Sequence, residues 1–124
     1  MNQSKTQVSQ KLLERLQTIQ KFIGNTPLFP IKRAFEKSNV QIFAKLEWQQ
    51  IGGSVKARPA FNIIKNAVYQ GFIHENITLL DATSGNTGIA YASIGAALGI
   101  KVALCLPENA SAERKQILKA LGVE

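Results

Sequence analysis

Short apolar runs alternate with helix-period segments along most of this chain, and glycine or proline stands at nearly every boundary. That alternation constrains the fold more than any other feature. Residues 41–46, 77–81 and 100–106 are brief and rich in Ile, Leu, Val and Phe, as strands are. Residues 55–70 carry Ala60, Ile63, Ile64, Ala67 and Val68 on one helical face and stop at Gly71. Residues 86–98 form a helix of small residues closed by Gly99, and 111–121 a last helix with Gly122 after its end. Strand and helix in strict succession with short turns predict right-handed crossovers. The fold class expected is α/β, a parallel sheet with helices on both faces. Ser54 is a good N-cap for the first of these helices, but Pro59 sits deep for a first-turn proline, so the helix either begins near Ala57 or has an irregular first turn.

Residues 1–40 read differently. Val8, Leu12, Leu16 and Ile19, with Leu13 beside them, recur at helical spacing over 6–22. Such an amphipathic helix needs an apolar surface to cover its face, expected here on a partner or on a domain outside this chain. Gly24 and Pro27 end it, and the segment around Pro27 and Pro30 is extended, at a sheet edge or in a loop. The organisation expected is thus a helix and extended segment over 1–40, followed by a βαβαβα unit over 41–124.

Charge and cysteine usage narrow the function classes. Fifteen Lys and Arg against eight Asp and Glu give a net charge of +7, but the bases are spread along the chain with no aromatic-interleaved stripe. Attraction for small anions explains that distribution as well as nucleic acid does, and no nucleic-acid partner is expected. The run 89–100 is too short and too interrupted to cross a bilayer, and the polar N-terminus lacks the apolar core of a secretory signal. A cytoplasmic protein without a membrane partner is the expectation. Cys105 is the single cysteine, and its apolar neighbours suggest an inert thiol in a buried strand. His74 has no second His or Cys near it, so no metal site is expected. Trp48 reads as a packing residue, and Asp81 as a strand-end cap.

Two turns carry chemistry. Gly52-Gly53-Ser54-Val55-Lys56 places a lysine at the start of a helix, and a lysine amine forms Schiff bases with carbonyls, the aldehyde of pyridoxal phosphate (PLP) among them. The usual fate of such a lysine is a solvated charge. The glycine pair before it, however, lets backbone pass close to a ligand. Thr83-Ser84-Gly85-Asn86-Thr87-Gly88 holds more hydroxyl and amide groups than one helix cap needs, and offers donors for a carboxylate at a helix N-terminus. Both turns fall at the carboxyl edge of the expected sheet, where open α/β folds bind ligands.

Five motifs in order, Gly24-Asn25-Thr26-Pro27-Leu28, Lys45-Leu46-Glu47, Gly52-Gly53-Ser54-Val55-Lys56, Thr83-Ser84-Gly85-Asn86-Thr87-Gly88 and Pro107-Glu108-Asn109 with Glu113-Arg114, resemble the cysteine synthases. These are the O-acetylserine sulfhydrylases and their cystathionine β-synthase relatives, PLP enzymes of fold type II with a tryptophan synthase β-like architecture. The resemblance implies that Lys56 is the Schiff-base lysine and that Thr83, Ser84, Gly85, Asn86 and Thr87 hold the substrate carboxylate, Asn86 also meeting the cofactor. It implies β-replacement on an activated serine such as O-acetylserine, with a sulfur donor as nucleophile, and a homodimer in the full-length form. The dehydratases of the family usually carry Asn-His where Asn86-Thr87 stand, which favours the sulfhydrylase branch.

Two departures qualify that picture. Ala57 stands where the family typically has an acidic residue. The family's enzymes are also more than twice as long, so the glycine-rich loop that cradles the cofactor phosphate is expected beyond Glu124 and this chain is expected to be a truncated or partial form. The readings left open are a cystathionine β-synthase-like or dehydratase activity, and a catalytically silent α/β module that acts by association with another chain.

Overall fold

The computed structural model describes residues 8–83 and 85–124. Helix α1 (Gln10–Gln20) is opened by Ser9, whose hydroxyl accepts from the Leu12 amide at 3.2 Å. It ends with Lys21 as its cap, so Gly24 lies beyond the stop and serves a turn, at φ +81° beside Asn25 at φ +51°. Strand β1 (Leu28–Ile31) pairs antiparallel with β2 (Ile42–Lys45), Pro30 opposite Phe43. Two 3-10 turns, Glu47–Gln49 and Ile51–Gly53, lead into α2 (Ala57–Tyr69). Strand β3 (Thr78–Ala82), helix α3 (Asn86–Leu98) and strand β4 (Lys101–Cys105) form a parallel crossover, with Leu79 beside Val102. Helix α4 (Ala112–Ala120) closes the order, and its Ser111 cap accepts from the Arg114 amide.

The α/β class and the parallel pairing hold for β3 and β4, while β2 departs from expectation. Its predicted place was in the same parallel sheet; it lies instead in a separate antiparallel ladder with β1. Apolar runs mark a strand without naming its partner. Pro30, lacking an N–H, confines β1 to a sheet edge, and a two-stranded ladder consists only of edges. The division expected at residue 40 therefore runs between two strands of one ladder.

Helix α3 is the centre of the fold. Gly88 and Gly95 bring it down onto one face of the β3–β4 pair, Gly95 against Val102 and Gly88 against Leu104. Its other sides meet α1, α2 and α4. The apolar face of α1 is covered in this way from inside the chain, since Leu12, Leu16 and Ile19 join Phe61, Ile64 and Ile94 in the core. No outside partner is needed for it, contrary to the reading of α1 alone. Arg15 adds a polar tie, donating to the Leu98 carbonyl at 2.9 Å and satisfying one of the acceptors at the end of α3.

The opposite face of β3–β4 carries no helix among the described residues. Leu80 is 69% exposed there, and Cys105, expected in a buried strand, is exposed at the end of β4. Alternation along a strand puts Cys105 on the face away from α3, a face that its apolar neighbours could not identify. At the β4 edge, the Glu124 amide donates to the Val102 carbonyl and the Leu104 amide to the Glu124 carbonyl, which extends the parallel hydrogen-bonding pattern.

The close approach of α3 makes a test. A Cβ on Gly95 would stand 2.4 Å from Val102 Cγ2 and 3.2 Å from the Ile100 carbonyl oxygen. Gly95→Ala is expected to lower stability by about 1–2 kcal/mol, overpacking outweighing the helix-propensity gain of alanine. Urea unfolding followed by circular dichroism would read this as a lower midpoint at an unchanged slope.

Candidate functional site

Because β3 and β4 run parallel, the chain enters α3 from their carboxyl edge. The Thr83 amide donates to the Cys105 carbonyl at 3.2 Å, carrying the ladder one step past β3. Gly85 then caps α3 and has no side chain to offer the first-turn amides. Among the described residues outside its chain neighbours, nothing lies within 4 Å of where a Cβ on Gly85 would be. Asn86 is exposed, while Gly85 and Thr87 are half-buried. Ser84 lies outside the described residues. The structure thus places Thr83, Gly85, Asn86 and Thr87 together at a helix N-terminus, where the Gly85 amide donates to Thr83 Oγ1 at 3.5 Å and the Gly88 amide to the Gly85 carbonyl at 3.0 Å. Helix N-termini of this kind suit anions.

Lys56 stands as the cap residue of α2, with its side chain exposed. Its amide donates to Ser54 Oγ at 3.3 Å, and the Ala57 amide donates to the Ser54 carbonyl at 3.2 Å, so a single tight turn precedes the helix. Pro59 then falls in the first turn of a helix that starts at Ala57, where its missing N–H costs nothing. The two glycines before Lys56 have different uses. A Cβ on Gly52, at φ +76°, would come 3.2 Å from Ala90 Cα and 3.5 Å from Ser93 Oγ, so this glycine seats the lysine turn on the flank of α3. Gly53, at φ +70°, faces open space, and it is the one that leaves room for a ligand. Through Gly52 the turn that carries Lys56 and the helix that begins at Asn86 become one packed unit.

A polar cluster behind the lysine turn escaped the sequence reading. Glu47 Oε1 accepts from Thr26 Oγ1 at 2.7 Å and from Arg58 Nη2 at 2.9 Å. Its other oxygen accepts from Arg58 Nε at 3.3 Å and from the Gln50 side-chain amide. Gln50, buried, turns its own carbonyl to accept from the Gly24 amide at 3.0 Å, and Lys45 donates to the Thr26 carbonyl. Hydrogen bonds from Arg58, Thr26 and Gln50 hold the Glu47 carboxyl down at about 2, because each stabilises the ionised form. The same contact with Glu47 raises the Arg58 pKa. An acid and a base eleven positions apart on a turn and a helix have no periodic signal; the motif Lys45-Leu46-Glu47 was the only pointer to it.

The other candidates stay peripheral. Trp48, read as a packing residue, is 66% exposed, because the 3-10 turn directs it away from the core. Asp81 accepts from the Ala82 amide at 2.7 Å, and His74 accepts from the Asn76 amide in its turn. A groove between β1 and β2 and the segment joining them is lined by Pro30, Ile31, Phe35, Val40 and Phe43 and contains none of the candidate residues. Among the described residues no helix is long and apolar enough to cross a membrane.

A lysine turn packed against the helix whose N-terminus can take an anion is compatible with Schiff-base chemistry. The sequence model of the family described as "Pyridoxal-phosphate dependent enzyme" matches residues 19–124, and the chain belongs to that family. A cysteine synthase of Aquifex aeolicus is 50% identical over 111 residues, which are 87% of this chain and 34% of that protein. A hydrogen sulfide-producing enzyme of Fusobacterium nucleatum superposes with a TM-score of 0.78 at 38% identity, over 86% of this chain and 35% of that one. An O-acetylserine dependent cystathionine beta-synthase of Helicobacter pylori does so with a TM-score of 0.73 at 37% identity, over 85% and 35%. The chain spans about a third of the length of each of these proteins.

The residues present fit the cofactor named by the family. Lys56 is an exposed primary amine beside the open backbone of Gly53, and the α3 N-terminus supplies donors for an anionic group.

The Glu47 cluster makes stability depend on acid. Folded Glu47 binds a proton less readily than the unfolded chain, whose carboxyl titrates near 4.5. Its contribution is complete above that pH and is lost as the pH falls toward 2. Glu47→Gln is therefore expected to be less stable than wild type at neutral pH, and the gap between their urea midpoints to close as the pH is lowered through this window.

Proposed function

We propose that this chain carries the lysine-bearing and carboxylate-binding part of a cysteine synthase, which replaces the leaving group of an activated serine such as O-acetylserine with a sulfur nucleophile. The observation that supports this reading is the packing of Gly52, in the lysine turn, against Ala90 of α3, the helix that begins at Asn86. Bound pyridoxal phosphate supplies the electron sink that makes loss of a proton from the substrate α-carbon possible. Lys56 Nζ would hold the cofactor aldehyde and would be the base for the substrate α-proton. The first-turn amides of α3, with Thr83, Ser84, Asn86 and Thr87, bind the substrate carboxylate, and Asn86 also meets the cofactor. The protein is cytoplasmic in this reading, takes a small amino acid and a sulfur donor, and dimerises in its full-length form. A nucleophile of the homocysteine type is a second reading, supported by the likeness to the O-acetylserine dependent cystathionine beta-synthase.

This chain alone is expected to hold pyridoxal phosphate weakly, so that an excess of the cofactor is needed to raise the near-visible absorbance band of a lysine Schiff base, and Lys56→Ala to reduce that band to the level given by surface lysines. A band of equal strength in the variant would overturn the role of Lys56. On the loaded chain, Asn86→Ala is expected to weaken O-acetylserine binding about tenfold in a spectral titration, roughly the worth of one charge-assisted hydrogen bond. Unchanged binding would remove Asn86 from the site.

A further inference from the structure

We propose that Glu47 and Arg58 are positioning residues for Lys56, a clasp that fixes the lysine turn from behind and so sets the amine toward the edge where α3 begins. The inference rests on the reading of Lys56 as the Schiff-base lysine. It goes beyond that reading by assigning a function to a cluster that touches neither ligand nor amine.

The cluster joins three pieces of chain that sequence keeps far apart. Thr26 and Gly24 belong to the turn after α1, Glu47 and Gln50 to the 3-10 turns, and Arg58 to the first turn of α2. Glu47 and Arg58 bracket Lys56 along the chain, and Arg58 follows it by only two residues. Between them the backbone is intrinsically loose, since Gly52 and Gly53 both adopt positive φ and Gly53 has no neighbour to hold it. The lysine side chain is exposed, and among the described residues no hydrogen bond or ion pair fixes its direction. Its location must therefore come from its backbone, and the backbone is held at two places. One is the contact of Gly52 with Ala90, on the α3 side. The other is the fork of Arg58, whose Nε and Nη2 meet the two oxygens of Glu47 at 3.3 and 2.9 Å. A planar guanidinium gripping a carboxylate at two points fixes orientation as well as distance, which a lysine or an amide could not do.

Thr26 and Gln50 add to the case. Both are buried, and both direct a donor at the same carboxylate, so Glu47 is ionised and saturated in one geometry. A pair made for surface stability alone would be worth little and would not need four donors from three segments. With the carboxylate anchored on the Gly24–Thr26 turn, the start of α2 cannot slide along α3 without breaking a charged contact.

The test follows the reaction of Lys56 with free pyridoxal phosphate, trapped at intervals with borohydride and mapped by peptide mass spectrometry. Surface lysines Lys101 and Lys119 serve as internal standards in the same sample. Three proteins are compared at one pH: wild type, Glu47→Gln and Arg58→Lys. Circular dichroism reports whether each keeps its fold. The expected result is selective loss, with the rate at Lys56 falling roughly ten- to a hundredfold in both variants, as a displacement on the ångström scale would cause, and the rates at Lys101 and Lys119 unchanged. Equal Lys56 rates in wild type and folded variants would overturn the clasp while leaving the Schiff-base role of Lys56 intact. Parallel loss at all lysines, or loss of the fold in both variants, would also overturn it by making the cluster a general support of the structure. If wild-type Lys56 reacts no faster than the standards, the reading of Lys56 itself fails, and the clasp with it.

Discussion

The seating of α3 on the β3–β4 pair is the contact on which the rest of the molecule depends. With Gly95 beneath Val102 and Gly88 beneath Leu104, the helix axis can come closer to the sheet than larger side chains permit. A helix seated that deep presents its remaining surface to three others, and α1, α2 and α4 all gather on it. The price is a helix with almost no wet face, which is why Ala90, Tyr91, Ala92, Ile94 and Leu98 are all buried. Position follows from the same contact. The carboxyl edge of the sheet and the start of α3 coincide because α3 is the crossover itself, and Gly52 seats the lysine turn on the flank of α3 at Ala90.

Rigidity and openness are divided between the two sides of the lysine turn. Behind it, charged and amide groups are mutually satisfied, and no buried side-chain donor or acceptor is left without a partner among the described residues. In front of it, a Cβ on Gly53 or Gly85 would meet nothing within 4 Å among the described residues, and no side chain caps the first turn of α3. Ligand sites commonly show this contrast, since a group that must bind a changing partner has to be held by groups that do not change. The apolar residues left bare on the outer face of β3–β4 and on the β1–β2 ladder, Leu80 and Phe29 among them, lie away from this edge.

Much of this was legible in the residues. The helices expected over 55–70, 86–98 and 111–121 were marked by an apolar face in the first, small residues in the second and the glycines that stop all three. They stand at 57–69, 86–98 and 112–120, and the hesitation over Pro59 resolved in favour of the later start. Lys56 and the Thr83–Thr87 turn could be picked out because their chemistry is local: an amine after two glycines, and hydroxyl and amide groups at a helix start. The family resemblance sharpened those choices, and the family match over residues 19–124 agrees with it. The misses share a cause. The partner of β2, the face on which Cys105 sits, the exposure of Trp48 and the burial of the α1 face are all matters of which surface meets which, and a run of apolar residues looks the same whichever side is covered.

The sequence by itself determined that helices stand near 10–20, 57–69, 86–98 and 112–120, which turns hold amine, hydroxyl and amide groups, and that the chain builds an α/β crossover. Those properties arise from interactions within a few residues, namely backbone preference, capping and the side-chain period. Only the tertiary structure decided that Gly52 serves packing while Gly53 serves access, and that β2 joins β1. It alone joined Glu47 to Arg58, Thr26 and Gln50 across three segments. Pairings of that kind depend on distances in space between residues with no fixed spacing in the chain, and the folding of α3 onto its sheet is what brings them within reach.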